Sequence, residues 1–395
     1  MKHGLIYITA IICGLAACLT ACTDSQDEVP SAEAKLVKVS LNLEAQPMET
    51  MAENTYSRST VPMAPELENP MRSLAVIQFD SEGNMMQVNG NSYFHYIDLT
   101  SGGSSVGQTT TQLDVDLFAL NDTRVCVIAN VDEQRVQELL RHDTENRNKL
   151  WSEFRLSTIE IPYILTDETG DKTRVGHVEE IFMYGQYEGD INEQGMAVSG
   201  THSKQLSIVM ARIISRMEMY IRLGEGVTVP DGYKIYLGFT GIEKSAYLVP
   251  GVANYLAEYV HNHVVLPPSK RTDLIKGNGT TGTTFYFYLA PHLVLQEHKE
   301  RVTRFIIWCV PNNVSAENLV IVEDADPIPS PYYNHAEILM CNDPLGENPN
   351  VEGSFWLNRN SLYHVNITLT YDNGTRATRT QGDGEYVINL KELIN

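Results

Sequence analysis

A period of two dominates this chain, and its cleanest instance is AKLVKVSLNLEA at 34–45. Val37, Val39, Leu41 and Leu43 face one way, while Lys38, Ser40, Asn42 and Glu44 face the other. That alternation predicts a half-buried strand. Residues 46–72 then lose all periodicity: Pro47, Pro62, Pro65 and Pro70 punctuate a polar stretch. The spacing predicts a long loop without a core of its own, of a length that is uncommon inside a compact domain. Arg58, in ENTYSRSTVP, is the sole basic residue between Lys38 and Arg72.

Strand patterns resume in RSLAVIQFD, turn at Asp80–Asn84, and continue in YFHYIDL, QLDVDLFAL and TRVCVIANV. From Asp132 to Phe154 the period changes. Val136, Leu139, Leu140, Leu150, Trp151 and Phe154 suit one or two helices broken near His142 and Asp143. RLSTIEIPYIL and EEIFMYGQY return to strands. KQLSIVMARIISRMEMYIRL (204–223) fits two templates. Leu206, Val209, Met210, Ile213 and Met217 suit a helix; Val209, Ala211, Ile213, Met217, Met219 and Ile221 suit a strand with Arg212, Arg216, Glu218 and Arg222 outward. The strand matches more positions toward the C-terminal end, and it is expected to open a second domain. YKIYLGFTGI, TTFYFYLAP, TRFIIWCVP, ENLVIVED, AEILMC and SLYHVNITLTY supply further strands. A turn-rich arm, DNGTRATRTQGDG, precedes EYVINLKELIN, in which Tyr386, Ile388 and Leu390 alternate with polar or outward positions. A lone short strand cannot form a sheet, so this one must pair with something.

The start of the chain sets its destination. MKHGLIYITAIICGLAAC carries one basic residue, Lys2, and an apolar run that ends on small residues without a cationic anchor beyond it. It reads as a signal peptide rather than a spanning helix. Leu19-Thr20-Ala21-Cys22 resembles the bacterial lipobox, whose cysteine thiol takes a diacylglycerol and whose freed amine takes a further acyl chain. More than one chain is what durable anchoring needs. The acidic, apolar-poor CTDSQDEVPSAEA that follows reads as a tether, and it resembles the surface-export signal of Bacteroidales-type lipoproteins.

Composition adds exclusions. With 29 basic against 50 acidic residues the net charge is −21, which repels nucleic acid and offers no basic patch to offset it. Roughly 370 residues after the leader suggest two domains. Beyond the leader and Cys22, the cysteines are Cys126, Cys309 and Cys341; an odd number is not a disulfide framework, though a Cys309–Cys341 bridge stays open. Cys126, in VCVIANV, reads as a core filler.

Candidate chemistry thins out on inspection. Gly103-Ser104-Ser105-Val106-Gly107 matches the nucleophile-elbow spacing but lies between strand patterns, where a hairpin loop fits better. KGNGTTGTT lacks the lysine and helix of a phosphate loop. His261 and His263 lack a third ligand nearby, the acidic loops EDADP and NDPLGENPNVEG lack an EF-hand pattern, and Trp308 and Trp356 sit in apolar strand contexts. No catalytic constellation, metal site or cofactor site emerges.

Several stretches in order resemble the fimbrillin superfamily, the type V pilus subunits of Bacteroidales. These are the lipobox with its tethered strand, RSLAVIQFD, VCVIANV followed by a helical stretch, MARIISRMEMYI, and WLNRNSLYHVNITL with Arg359, Asn360, Tyr363, Val365 and Ile367. FYFYLAPHLVLQEHKERVTRFIIW is similar to accessory rather than main-shaft members. The resemblance implies an all-β chain with a small helical insert, built as two transthyretin-like Greek-key β-sandwich domains. The expected units are a signal peptide (1–21), a tether with the first strand (22–58), sandwiches at 59–203 and 204–371, and an arm with a terminal strand (372–395). It further implies lipidation at Cys22 and cleavage between Arg58 and Ser59 by an arginine-specific protease. The cut removes the lipid together with the strand of Val37, Val39, Leu41 and Leu43. A strand from another pilus subunit, here the Tyr386, Ile388 and Leu390 type, then fills the vacancy, as donor-strand complementation does. The partners so implied are other subunits, that protease, and the outer membrane before cleavage; the destination is a cell-surface fimbrium. An uncleaved, lipid-anchored anchor subunit and a surface glycan-binding β-sandwich lipoprotein are the alternatives.

Overall fold

The computed structural model describes residues 35–50, 70–89, 91–100, 109–164, 178–251, 263–270, 281–294, 302–319, 333–341, 356–371, 378–379 and 385–394. It is an all-β chain with short helices. The first half contains β1 (Leu36–Ala45), β2 (Glu49–Thr50), β3 (Ser73–Phe79), β4 (Phe94–Asp98), β5 (Thr110–Phe118), β6 (Thr123–Ala129), α1 (Glu133–Leu140), α2 (Trp151–Phe154), β7 (Met183–Ile191) and β8 (Leu206–Arg212). The second contains β9 (Ser215–Leu223), β10 (Tyr233–Glu243), β11 (His263–Lys270), β12 (Thr283–Leu289), β13 (Arg304–Pro311), β14 (His335–Leu339), β15 (Ser361–Thr370), β16 (Thr378–Arg379), β17 (Glu385–Asn389) and the one-turn α3 (Leu390–Leu393).

The first sheet runs β4-β3-β6-β7-β8-β1-β5, with a short hairpin added at the end of β7. Its two ends meet, because the sheet rolls up. His95 Nε2 (2.7 Å) and Tyr93 Oη (3.3 Å) both donate to Asp116 O, and buried Gln78 exchanges hydrogen bonds with the main chain of Phe118. Alternate residues of β1, β3, β5, β6 and β8 fill the inside of the roll. The outer face of β3, β6 and β7 packs under α1 and α2 and against Ile213, Ile214, Leu248 and Tyr288 of the second half.

The second half is a sandwich of two sheets, β12-β9-β15-β17-β16 and β11-β10-β13-β14. Phe239, Phe287 and Phe305 cluster at its centre, with ring centroids 4.7 to 6.1 Å apart.

Three expectations change. The segment 204–223 is two strands in two different sheets, parted at Ile213 and Ile214, rather than one strand. The break also shifts the parity: Leu206, Ile208 and Met210 face the core while Val209 is 56% exposed. Arg212, Arg216 and Glu218, expected outward, are buried. Arg216 pairs with Glu218 (2.6 Å), whose other oxygen meets His364 Nδ1 (3.0 Å), and its guanidinium lies over the Tyr286 ring. Finally, Leu390 does not extend the last strand. Asn389 accepts from Lys391 N and so starts a helical turn at Leu390, which ends the alternation.

Among the described residues Cys126, Cys309 and Cys341 form no disulfide and are buried, with Cys309 and Cys341 in separate clusters. Cys126 fills the core as expected; burial pushes its thiol up to about 12, and Tyr184 Oη donates to its sulfur. Trp308 is in the core.

Candidate functional site

The alternating N-terminal strand forms as predicted and lies inside the first sheet rather than at its rim. β1 runs antiparallel to β5 from Leu36↔Phe118 to Glu44↔Thr110, and parallel to β8 from Leu41↔Leu206 to Ala45↔Met210. Ala119 N→Lys35 O, Ala45 N→Thr109 O and Gln46 N→Met210 O extend this pairing past both ends. Val37 is 7% exposed, and Val39, Leu41 and Leu43 are 0%. Burying four such side chains contributes at most about 6–12 kcal/mol. Ser40, on the outer face, accepts from Gln112 (3.0 Å) and Gln205 (3.1 Å), one amide from each side. Gly195 presses on this strand: at φ 73° it brings its Cα so close that a Cβ would sit 2.1 Å from Lys38 O.

The next described strand along the chain after β2 is β3, which is not β1's neighbour in the sheet. Residues 51–69 connect them, and the described residues at both ends of that connection are held. At the near end, Arg212 Nη1 donates to Gln46 O (2.6 Å) and Asn360 Nδ2 to Pro47 O (3.0 Å); β2 then pairs with β15 at Ser361 and Leu362. At the far end, Asn130 Nδ2 donates to Pro70 O (3.0 Å) and Asn130 Oδ1 accepts from Arg72 N (2.7 Å). Asn130 and Asn360 both adopt left-handed backbone, φ 68° and 51°, which asparagine tolerates better than most residues. Arg359 supports the near clamp, donating to Arg212 O (3.4 Å) and Leu248 O (3.1 Å); burial pushes its guanidinium down to about 10.

The C-terminal strand folds back on its own chain. β17 runs parallel to β15 from Asn366↔Glu385 to Thr370↔Asn389 and touches β16 at two positions. Tyr386, Ile388, Leu390 and Leu393 enter the second core, and Asn334 Nδ2 donates to Glu392 O (3.0 Å).

Cys22, Arg58 and Ser59 lie outside the described residues, as do the Gly103–Gly107 match, His261, the acidic loops and most of the glycine-rich stretch. The four anchors of β1 are brought together in one slot; Tyr386, Ile388 and Leu390 sit in the other sandwich. Sequence reading missed the roles of Arg212, Asn130 and Asn360. Their signal was present as an asparagine after a strand or before one, but periodicity carries no information about which carbonyl a side chain caps. An open cleft of about 620 Å³ lies beside α1, lined by Asp132, Arg135, Glu138, Glu160, Tyr163 and Lys244 among others. Within it Lys244 pairs with the Glu160 carboxylate at 3.0 Å, and Arg135 donates to the Glu160 main-chain oxygen.

No protein-family model matches the chain, and no curated protein matches it significantly. Solved structures do. A putative cell adhesion protein from Parabacteroides distasonis is similar with a TM-score of 0.51 at 14% identity, over 89% of this chain and 94% of that one. At this identity the likeness is one of fold. The tip fimbrial protein Mfa3 of Porphyromonas gingivalis, truncated at its C-terminus, has 15% identity over 83% of this chain and 93% of its own, TM-score 0.44. A fimbrilin, FimA, from the same species has 11% identity over 90% and 98%, TM-score 0.44.

Proposed function

We propose that this chain is a structural subunit of a cell-surface fimbria that is exported as a lipoprotein through Cys22, cut between Arg58 and Ser59, and assembled by strand exchange. Its place is accessory or at the tip rather than in the main shaft. The observation that carries this reading is the setting of β1: a strand between two partners, paired from Leu36 to Glu44 on the β5 side and from Leu41 to Ala45 on the β8 side, with the described residues at both ends of the 51–69 connection held by side chains. Cutting inside 51–69 leaves every ladder among the described residues covalently intact. It turns β1 into a bound peptide that also carries the lipid, and its departure leaves a slot between β8 and β5 about nine residues long. The unpaired backbone groups and empty pockets of that slot require another strand. Head-to-tail exchange of this kind does not close on itself, so it yields a filament. The shared fold with a putative cell adhesion protein agrees with a surface role.

N-terminal sequencing of the protein recovered from assembled fibres tests this. Chains beginning at Ser59 are expected. Intact, lipidated Cys22 on every fibre-associated copy contradicts maturation and leaves the uncleaved anchor in its place.

A further inference from the structure

β1 ends at Ala45, and the next two carbonyls leave the sheet. They are not left to solvent. Arg212 Nη1 takes Gln46 O at 2.6 Å and Asn360 Nδ2 takes Pro47 O at 3.0 Å. The two donors belong to different halves of the molecule: Arg212 ends β8 in the first sheet, and Asn360 directly precedes β15 in the second. They are also bonded to one another, since Asn360 Oδ1 accepts from both Arg212 Nη1 (3.0 Å) and Arg212 N (3.3 Å). Arg212 is 1% exposed and Asn360 4%. Both of these contacts go to main-chain oxygens of the strand. A site of that kind recognises a chain's direction and position rather than its sequence.

Resting on the strand-exchange reading, we propose that Arg212 and Asn360 form a carbonyl clamp for whichever strand fills the β1 slot. In the assembled state the clamp holds the main chain of a second copy's C-terminal strand. Gln46 follows Leu43, the last pocket-filling residue of β1, by three positions. The same spacing after Leu390 brings Leu393 O to Arg212 and Ile394 O to Asn360, with Tyr386, Ile388 and Leu390 in the places of Val39, Leu41 and Leu43. A strand entering in the opposite direction presents its carbonyls elsewhere, so the clamp favours an occupant parallel to β8. Departure of β1 removes one acceptor from a buried guanidinium and one from a buried amide, which disfavours the empty slot and any occupant too short to reach. Because the donors come from both halves, a strand that reaches them also ties the two halves together.

The test uses the full chain, cut in place at Arg58 or, independently of native processing, at a protease site inserted there. Labelled peptides exchange into the slot and are followed by anisotropy. Peptide 36–48, which carries both carbonyls, is expected to bind roughly 10- to 100-fold more tightly than 36–45, the order expected of one charge-assisted and one neutral hydrogen bond. Asn360→Ala is expected to shrink this length advantage while leaving peptide 36–45 unchanged. A thioamide at Gln46, a weaker acceptor of similar shape, is expected to weaken peptide 36–48 several-fold on the unaltered protein, a control that needs no variant. Equal binding of the two lengths, or equal weakening of both by Asn360→Ala, overturns the clamp. Peptide 385–394 is expected to bind and to respond to Asn360→Ala as 36–48 does. If 36–48 keeps its advantage while 385–394 fails to bind at all, strand exchange falls and the clamp stands for β1 alone.

Discussion

β1 and β17 are both strands laid parallel to a long neighbour, and they are held very differently. β1 has partners on both sides, one of them over nine registered positions, and four side chains sealed inside a roll. β17 has one long partner over five positions and a two-residue strand on its other flank. Removing β1 opens the middle of a sheet; removing β17 exposes an edge of β15. On the proposed reading the first is a filled acceptor slot and the second a strand that can be spared.

The comparison breaks most visibly if a charge is forced into each strand. Leu41→Asp places an unpaired carboxylate where exposure is 0%, and is expected to cost on the order of 4 kcal/mol or more, unfolding the first half. Ile388→Asp, at 4% exposure, is expected to cost distinctly less, because β17 can detach and carry the charge into water. Denaturant titration of the two variants decides; equal losses contradict the asymmetry.

A pH titration acts on the second half through Glu243. Glu243, at the end of β10, is buried, and burial pushes its carboxyl up from the ordinary 4.5 to about 7. The folded chain therefore holds this proton more tightly than the unfolded one, and stability falls as pH rises from about 4.5 to 7, by up to about 3 kcal/mol. Glu243→Gln is expected to flatten that window in unfolding curves measured across it. A slope that survives the substitution assigns the effect to another group.

The smallest effect concerns the sideways ties of β1. Ser40→Ala removes the acceptor shared by Gln112 and Gln205, and is expected to cost about 1 kcal/mol or less in the same denaturant titration. A much larger loss places the hold on β1 in its polar face rather than in its four pockets.

Much of this was legible in the residues. Val37, Val39, Leu41 and Leu43 announce their common face because a strand's period is two, and VCVIANV announces a strand buried on both faces. The helical break after Asp132 follows from the change of period and from Asp132 itself, which caps α1 by accepting from Arg135 N. Segment 204–223 was harder: each half alternates, but the two alternations are out of phase across Ile213 and Ile214, and a single template averages them. The burial of Arg212 and Arg216 was illegible for a related reason. Local pattern places a side chain on a face, and only the tertiary fold says whether that face is covered. The end of β17 depended on a single cap, Asn389, that outweighed the apolar alternation continuing through Leu390. The parallel pairing of β1 with β8 joins positions some 165 residues apart, and nothing within either segment specifies that partner.

The most direct measurement places one cysteine on the wall of the slot and another on the incoming strand. Asp114, exposed on β5 opposite Ser40, becomes cysteine in one copy, and Val387 becomes cysteine in another. The account predicts an intermolecular disulfide between these two positions in fibres cut at Arg58, and none in the uncut chain. Fibres that lack this bridge and still retain segment 22–58 in equal amount to the rest of the chain contradict it.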